Sequence, residues 1–107
     1  EHYRDYIHVS EAAEGIARIS SVDKSGVINL GSGNVILLKE FVKLFWSKLG
    51  GQPEHLIFGS HNVPLLEQSQ PKSYADLTVL KNTTNWLPSL SIEDGINKTV
   101  EQLRLSI

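Results

Sequence analysis

Asp5-Tyr6-Ile7-His8-Val9-Ser10-Glu11-Ala12-Ala13-Glu14-Gly15-Ile16-Ala17-Arg18-Ile19-Ser20 changes its hydrophobic period within one short stretch, and that change decides the fold class. Residues 5–9 alternate branched or aromatic side chains with polar ones, the pattern of a short strand. From residue 11 to residue 20 the period lengthens, with Ala12, Ala13, Ile16, Ala17 and Ile19 recurring at spacings of three and four. That predicts an amphipathic helix with Ser10 as its N-cap. Glu11 and Glu14 in its first turn and Arg18 near its last suit the helix dipole.

Working outward, Val22-Asp23-Lys24-Ser25-Gly26 is turn chemistry, and Val27-Ile28-Asn29-Leu30 reads as a second short strand that stops at Gly31. After Gly31-Ser32-Gly33-Asn34 a second helix is predicted over residues 37–49. Leu38, Phe41, Val42, Phe45 and Leu49 form its apolar face, while Lys39, Glu40, Lys43 and Lys48 are available to water. Gly50-Gly51 ends it, and His55-Leu56-Ile57-Phe58 reads as a third strand. Residues 59–73, with Pro64 and Pro71 and no sustained period, are long for a connection and form a candidate binding loop. Asp76 caps a short helix carrying Leu77, Val79 and Leu80, and Asn85-Trp86-Leu87-Pro88 breaks the chain. Ser91-Ile92-Glu93-Asp94 opens a final helix to about Leu105, with Ile96, Val100 and Leu103 as its stripe. Strands alternating with helices argue an α/β domain. Residues 27–30 and 55–58 are expected to pair in parallel across a right-handed helical crossover.

At 107 residues the chain is one domain, 1–107. Its formal charge of -2 lacks the basic footprint of a nucleic-acid binder, so no nucleic-acid partner is expected. The longest apolar run, Val35-Ile36-Leu37-Leu38, is far short of a membrane span or a leader core, so no membrane partner and a cytoplasmic setting are expected. Absence of cysteine removes disulfides, thiolate nucleophiles and cysteine-ligated zinc. Absence of methionine leads to the expectation of a processed chain or a piece of a longer one.

Few residues carry chemistry of their own. Gly31-Ser32-Gly33 sits between a predicted strand and helix, where backbone N–H groups can meet a phosphate, but Ile36 stands at the third glycine position of the dinucleotide fingerprint. A structural turn is the better reading. His2, His8, His55 and His61 show no metal-ligand spacing, so no metal is expected. No Gly-x-Ser-x-Gly marks a hydrolase. Asn82-Thr83-Thr84 and Asn97-Lys98-Thr99 match the glycosylation pattern within or beside predicted helices, where a chance match is the simpler account. Trp46 and Trp86 are read as packing residues. Arg4 precedes a rigid strand, where a guanidinium can grip a phosphate or carboxylate with two bonds; an ion pair with Asp5 or another acid is the plain alternative.

Three segments together carry a resemblance. Arg4-Asp5-Tyr6-Ile7-His8-Val9-Ser10-Glu11-Ala12-Ala13-Glu14-Gly15, Asn29-Leu30-Gly31-Ser32-Gly33, and Tyr74-Ala75-Asp76 through Trp86-Leu87-Pro88 to Gly95-Ile96 follow in an order and spacing that closely resemble the C-terminal part of the extended short-chain dehydrogenase/reductase family, the nucleotide-sugar epimerases and dehydratases. The resemblance implies a small βαβ-containing C-terminal substrate portion, with the NAD(P)-binding Rossmann domain and its Tyr-x-x-x-Lys pair lying outside this chain. It implies NAD or NADP in the parent protein and none for this portion alone, a sugar nucleotide as ligand, and the N-terminal Rossmann domain as partner. By the same resemblance Arg4 matches the arginine that contacts the substrate diphosphate, and no catalytic or cofactor-binding residue is expected here. Glu11 stands where Asp is common and is expected to serve its own helix N-terminus. Leu37 replaces a capping Ser or Thr, so Asn34 or a tightened turn is expected to satisfy those donors, at a loss of about 1 kcal/mol if nothing does. Leu66 holds the place of the family's second phosphate-binding arginine, with Lys72 the nearest spare cation. Two readings follow: the sugar-nucleotide-binding part of an NAD(P)-dependent epimerase or dehydratase, inactive alone, or a non-catalytic binding or self-associating module of the same fold.

Overall fold

The computed structural model describes residues 2–23, 25–59 and 74–106. Its elements run in the order β1 (Tyr3–Arg4), α1 (Val9–Ser20), β2 (Ile36–Leu37), α2 (Leu38–Lys48), a 3-10 turn (Pro53–His55), α3 (Thr78–Thr84) and α4 (Ile92–Leu105). The helices stand where the periodicity places them. Their starts differ in informative ways. The imidazole Nδ1 of His8 accepts the Ser10 N–H at 3.1 Å, so α1 begins at Val9 with His8, not Ser10, as its N-cap. A side chain that can accept from the first turn starts a helix whatever its residue class. At α2, Leu37 offers no capping side chain, and Asn34 does not substitute; the Leu38 N–H instead donates to the His2 carbonyl at 2.7 Å, an extension of the strand pairing. At α4 the expected cap holds, the Ser91 hydroxyl oxygen accepting the Asp94 N–H at 3.0 Å, whereas α3 has Leu77, not Asp76, at its N-cap and no side-chain cap; the Asp76 carboxylate, one residue further out, accepts the Thr78 N–H at 3.0 Å and its hydroxyl.

The sheet differs from the sequence expectation. Its two described strands are antiparallel, Tyr3 opposite Leu37 and Arg4 opposite Ile36; the strand expected at residues 5–9 does not form there, the strand instead lying just before it at Tyr3–Arg4, with Arg4 in it rather than ahead of it. Residues 27–30 and 55–58 form no ladder, so the parallel βαβ pairing is absent among the described residues. An apolar run becomes a strand only when another backbone pairs with it. Val27 is 85% exposed, and His55 is drawn into the 3-10 turn opened by Pro53.

Among the described residues the buried core is small, made of Leu80, Ile96 and Val100. Helices α2 and α4 pack together, as do α1 and α3. Tyr6 stacks on Phe41 at 3.8 Å, and Phe41 tilts against Phe45. The packing reading of the tryptophans matches their contacts. Trp86 lies against Gly15, where a Cβ would come within 3.1 Å of its ring, and Trp46 donates its Nε1–H to the Gln52 carbonyl at 2.7 Å. No described helix is long and apolar enough to cross a membrane.

Candidate functional site

Strand β1 delivers Arg4 and, directly after it, Asp5 to the mouth of a groove of about 380 Å³ whose lining includes Asn29, Gly31, Tyr74 and Ala75. Asp5 organises it. Its Oδ1 accepts the Ser32 N–H at 2.8 Å and the Ser32 hydroxyl, and its Oδ2 accepts the N–H groups of Gly33 at 2.9 Å and Ala75 at 3.0 Å. One carboxylate thus joins three segments that are distant in sequence: β1, the Gly31-Ser32-Gly33 turn and the approach to α3. Partial burial raises the Asp5 pKa. The donors of Ala75, Ser32 and Gly33 more than offset that, and the carboxyl lies below its ordinary value.

These bonds settle what the glycine turn does. Its N–H groups point at an anion, as such turns do, but the anion is the Asp5 carboxylate. The structural reading of the turn therefore holds, and the turn does not fit a dinucleotide phosphate. Gly31 makes the junction possible by lacking a side chain, since a Cβ there would lie 2.8 Å from the Ala75 Cβ and 2.9 Å from Asp5 Oδ2. Asp5 was not singled out by sequence reasoning. The available signal was a carboxylate adjoining a strand in a chain that also carries a donor-rich Gly-Ser-Gly turn.

Arg4 lines the groove, with its Nη1 donating to the Tyr3 carbonyl at 2.9 Å. Tyr74, 60% exposed, borders both this groove and an adjoining depression lined by Ser32, Gly33, Asp76 and Leu77. A guanidinium, an amide from Asn29 and an open phenol ring can hold an anion joined to a polar or planar body. They supply no nucleophile paired with a base.

The other candidates fall elsewhere. Glu11 does not serve its own helix: its carboxylate accepts from the N–H groups of Ser89 at 2.6 Å and Leu90 at 3.1 Å, tying α1 to the approach of α4. The longer side chain reaches across to donors that have no helical partner. Among the described residues no group of His, Asp and Glu assembles to hold a metal. Leu66, Lys72 and His61, and all of the candidate loop after Gly59, lie outside the described residues. Both glycosylation-pattern threonines bond within helices, Thr84 to the Leu80 carbonyl and Thr99 to the Gly95 carbonyl.

No family model matches the chain. It is 30% identical over 102 residues to a UDP-glucuronate 4-epimerase of Thermodesulfobacterium geofontis, a match covering 91% of this chain and 29% of that protein. It is 30% identical over 100 residues to a UDP-glucose 4-epimerase of Erwinia amylovora, covering 90% and 28%. Among solved structures, dTDP-glucose 4,6-dehydratase of Bacillus anthracis in complex with NAD superposes with a TM-score of 0.79 at 20% identity, over 97% of this chain and 32% of that one. UDP-glucose 4-epimerase of Bifidobacterium longum in complex with NAD+ and UDP gives 0.72 at 26% identity, over 97% and 30%. The chain thus spans about a third or less of the length of each of these relatives.

Proposed function

From a chain similar in sequence and fold to the C-terminal portion of nucleotide-sugar epimerases and dehydratases of the extended short-chain dehydrogenase/reductase family, we propose that these 107 residues are the sugar-nucleotide-binding part of such an enzyme. The observation that carries this reading is the Arg4 groove, which a cation on a strand lines together with Asn29 and Tyr74, Asp5 holding the Ala75 backbone beside Tyr74. In it Arg4 grips the diphosphate with charge-assisted hydrogen bonds, and Asn29 and Tyr74 orient the attached groups. The nicotinamide cofactor, NAD or NADP, belongs to a Rossmann domain outside this chain, because the glycine turn here is committed to Asp5. Hydride transfer is the cofactor's contribution; the part described here binds and orients, and is inert alone.

Isothermal titration of the chain with UDP, and with uridine as the control, tests this. Arg4→Ala is expected to weaken UDP binding by about tenfold or more, the worth of hydrogen bonds to a charged group, while leaving uridine unchanged. Equal UDP affinity in the variant and the parent chain would remove Arg4 from the site.

The outer face of α1 supports a second reading, a self-associating module of the same fold. Val9 is 70% and Ile16 61% exposed, with Ala13 and Ala17 beside them and Val27 also uncovered. Apolar surface of this kind drives association. Light scattering at increasing concentration is expected to show self-association that Ile16→Glu abolishes. A monomer at every concentration would remove this reading and leave the binding one standing.

A further inference from the structure

Lys39 and Lys43, one turn apart on α2, both hold their ammonium groups over the ring of Phe58, at 5.2 and 5.9 Å from its centroid. The spacing of four puts them on one helix face, and the reversal through Gly50-Gly51 and the 3-10 turn brings Leu56 and Phe58 back beside that face. Between them lies a cavity of about 450 Å³, lined by Lys39, Lys43, Trp46, Pro53, Leu56 and Phe58 among others. One wall is rigid: the Trp46 indole is anchored by its bond to the Gln52 carbonyl, and its ring occupies the space that a side chain on Gly51 would need.

The chemistry of this groove is one-sided. Its rings and aliphatic groups form an apolar floor, two cations stand beside them, and no carboxylate is among its described lining residues. Glu40 pairs with Lys43 at 3.6 Å, but both side chains are half exposed, and such a pair is weak enough to yield to a competing anion. The cations over Phe58 are likewise held by little, since an exposed cation–π contact is worth about 0.5–1 kcal/mol. The volume is that of a small-ligand pocket, and none of its residues lines the Arg4 groove.

We propose that this groove binds a small organic anion: a planar apolar body against Trp46, Leu56 and Phe58, with a carboxylate or phosphate held by Lys39 and Lys43. The positive edge on a chain of net charge -2 selects for the anion, and the apolar floor selects against inorganic ions. The proposal is independent of the sugar-nucleotide reading.

Phenyl phosphate is the probe, with benzyl alcohol as its neutral counterpart and inorganic phosphate as its counterpart without a ring. In amide and indole NMR spectra of the chain, phenyl phosphate is expected to shift Lys39, Lys43, Trp46 and Phe58 saturably, and each counterpart to bind at least about tenfold more weakly. The double variant Lys39→Gln/Lys43→Gln, with its unfolding midpoint unchanged, is expected to lose at least about tenfold in affinity. Shifts centred on other residues, equal binding by the double variant, or equal binding of benzyl alcohol would overturn the proposal. So would tighter binding at these residues by a short peptide carrying acidic residues around a phenylalanine, which would make the groove a protein-docking surface.

Discussion

Asp5→Ala is expected to destabilise the chain by about 2–4 kcal/mol, the largest stability effect of any side-chain truncation at the groove. The carboxylate accepts from the Ser32 N–H and hydroxyl and from the Gly33 and Ala75 N–H groups, so its removal leaves donors of two segments without their acceptor. Each hydrogen bond to a charged group is worth about 1.5–3 kcal/mol, and the sum falls short of additive because the site is partly open and water replaces some of the loss. Urea unfolding reads the difference directly, and a loss below about 0.5 kcal/mol would mean that the turn and the Tyr74-Ala75 segment are held by something else.

The same residue fixes a pH dependence. Its folded-state carboxyl lies below its ordinary value, so between the folded and unfolded pKa values the unfolded chain binds more protons. Asp5 therefore contributes stability that is fully present above the unfolded pKa, about 3.9, and is lost as the pH falls through the folded one. Asp76 is shifted in the same direction by its bonds to Thr78. Asp5→Asn is accordingly expected to flatten part of the acid limb of the stability profile, leaving a remainder. A profile with an unaltered slope in this variant would show that the Asp5 charge is not linked to folding.

Gly31→Ala is expected to cost about 1–3 kcal/mol, against the usual gain of about 0.4–1 kcal/mol when alanine replaces a compatible loop glycine. The sign follows from what the new methyl group meets. Ala75 Cβ, 2.8 Å away, has no rotamer to adopt, and Asp5 Oδ2, 2.9 Å away, is fixed by its donors. The segment carrying Tyr74 has to retreat, so the groove opens as the chain loses stability. Ala75→Gly introduced together with Gly31→Ala is expected to recover part of the loss by removing one of the two clashes. A double-mutant cycle measures this, and full additivity of the two substitutions would show that the methyl groups do not meet.

Arg4 stands out in the sequence as a guanidinium beside a strand, before any resemblance is drawn, and the structure puts it at the lining of a groove. Asp5 was equally visible and passed over, because what distinguishes it is the company of Ser32, Gly33 and Ala75, the last of them 70 residues away. Glu11 presents the same difficulty. A carboxylate in the first turn of a helix reads as a dipole partner, and its actual donors, on Ser89 and Leu90, lie 78 and 79 residues along the chain.

What the sequence determined by itself is local. The apolar spacing of Ala12, Ile16 and Ile19, of Phe41 and Phe45, and of Ile96 and Val100 sets the helices, because neighbours three and four apart share a face in any setting. Ser91 starts a helix because its acceptor is three residues from the donor it serves, and Asp76 bonds Thr78 just ahead of α3 for the same local reason. The tertiary structure alone decided that Tyr3–Arg4 pairs with Ile36–Leu37, that residues 27–30 and 55–58 form no ladder, and that the glycine turn closes on Asp5. Each of those outcomes depends on which distant backbone group or carboxylate arrives within about 3 Å, and hydrogen bonds fall away too steeply with distance for local residue pattern to specify their partner.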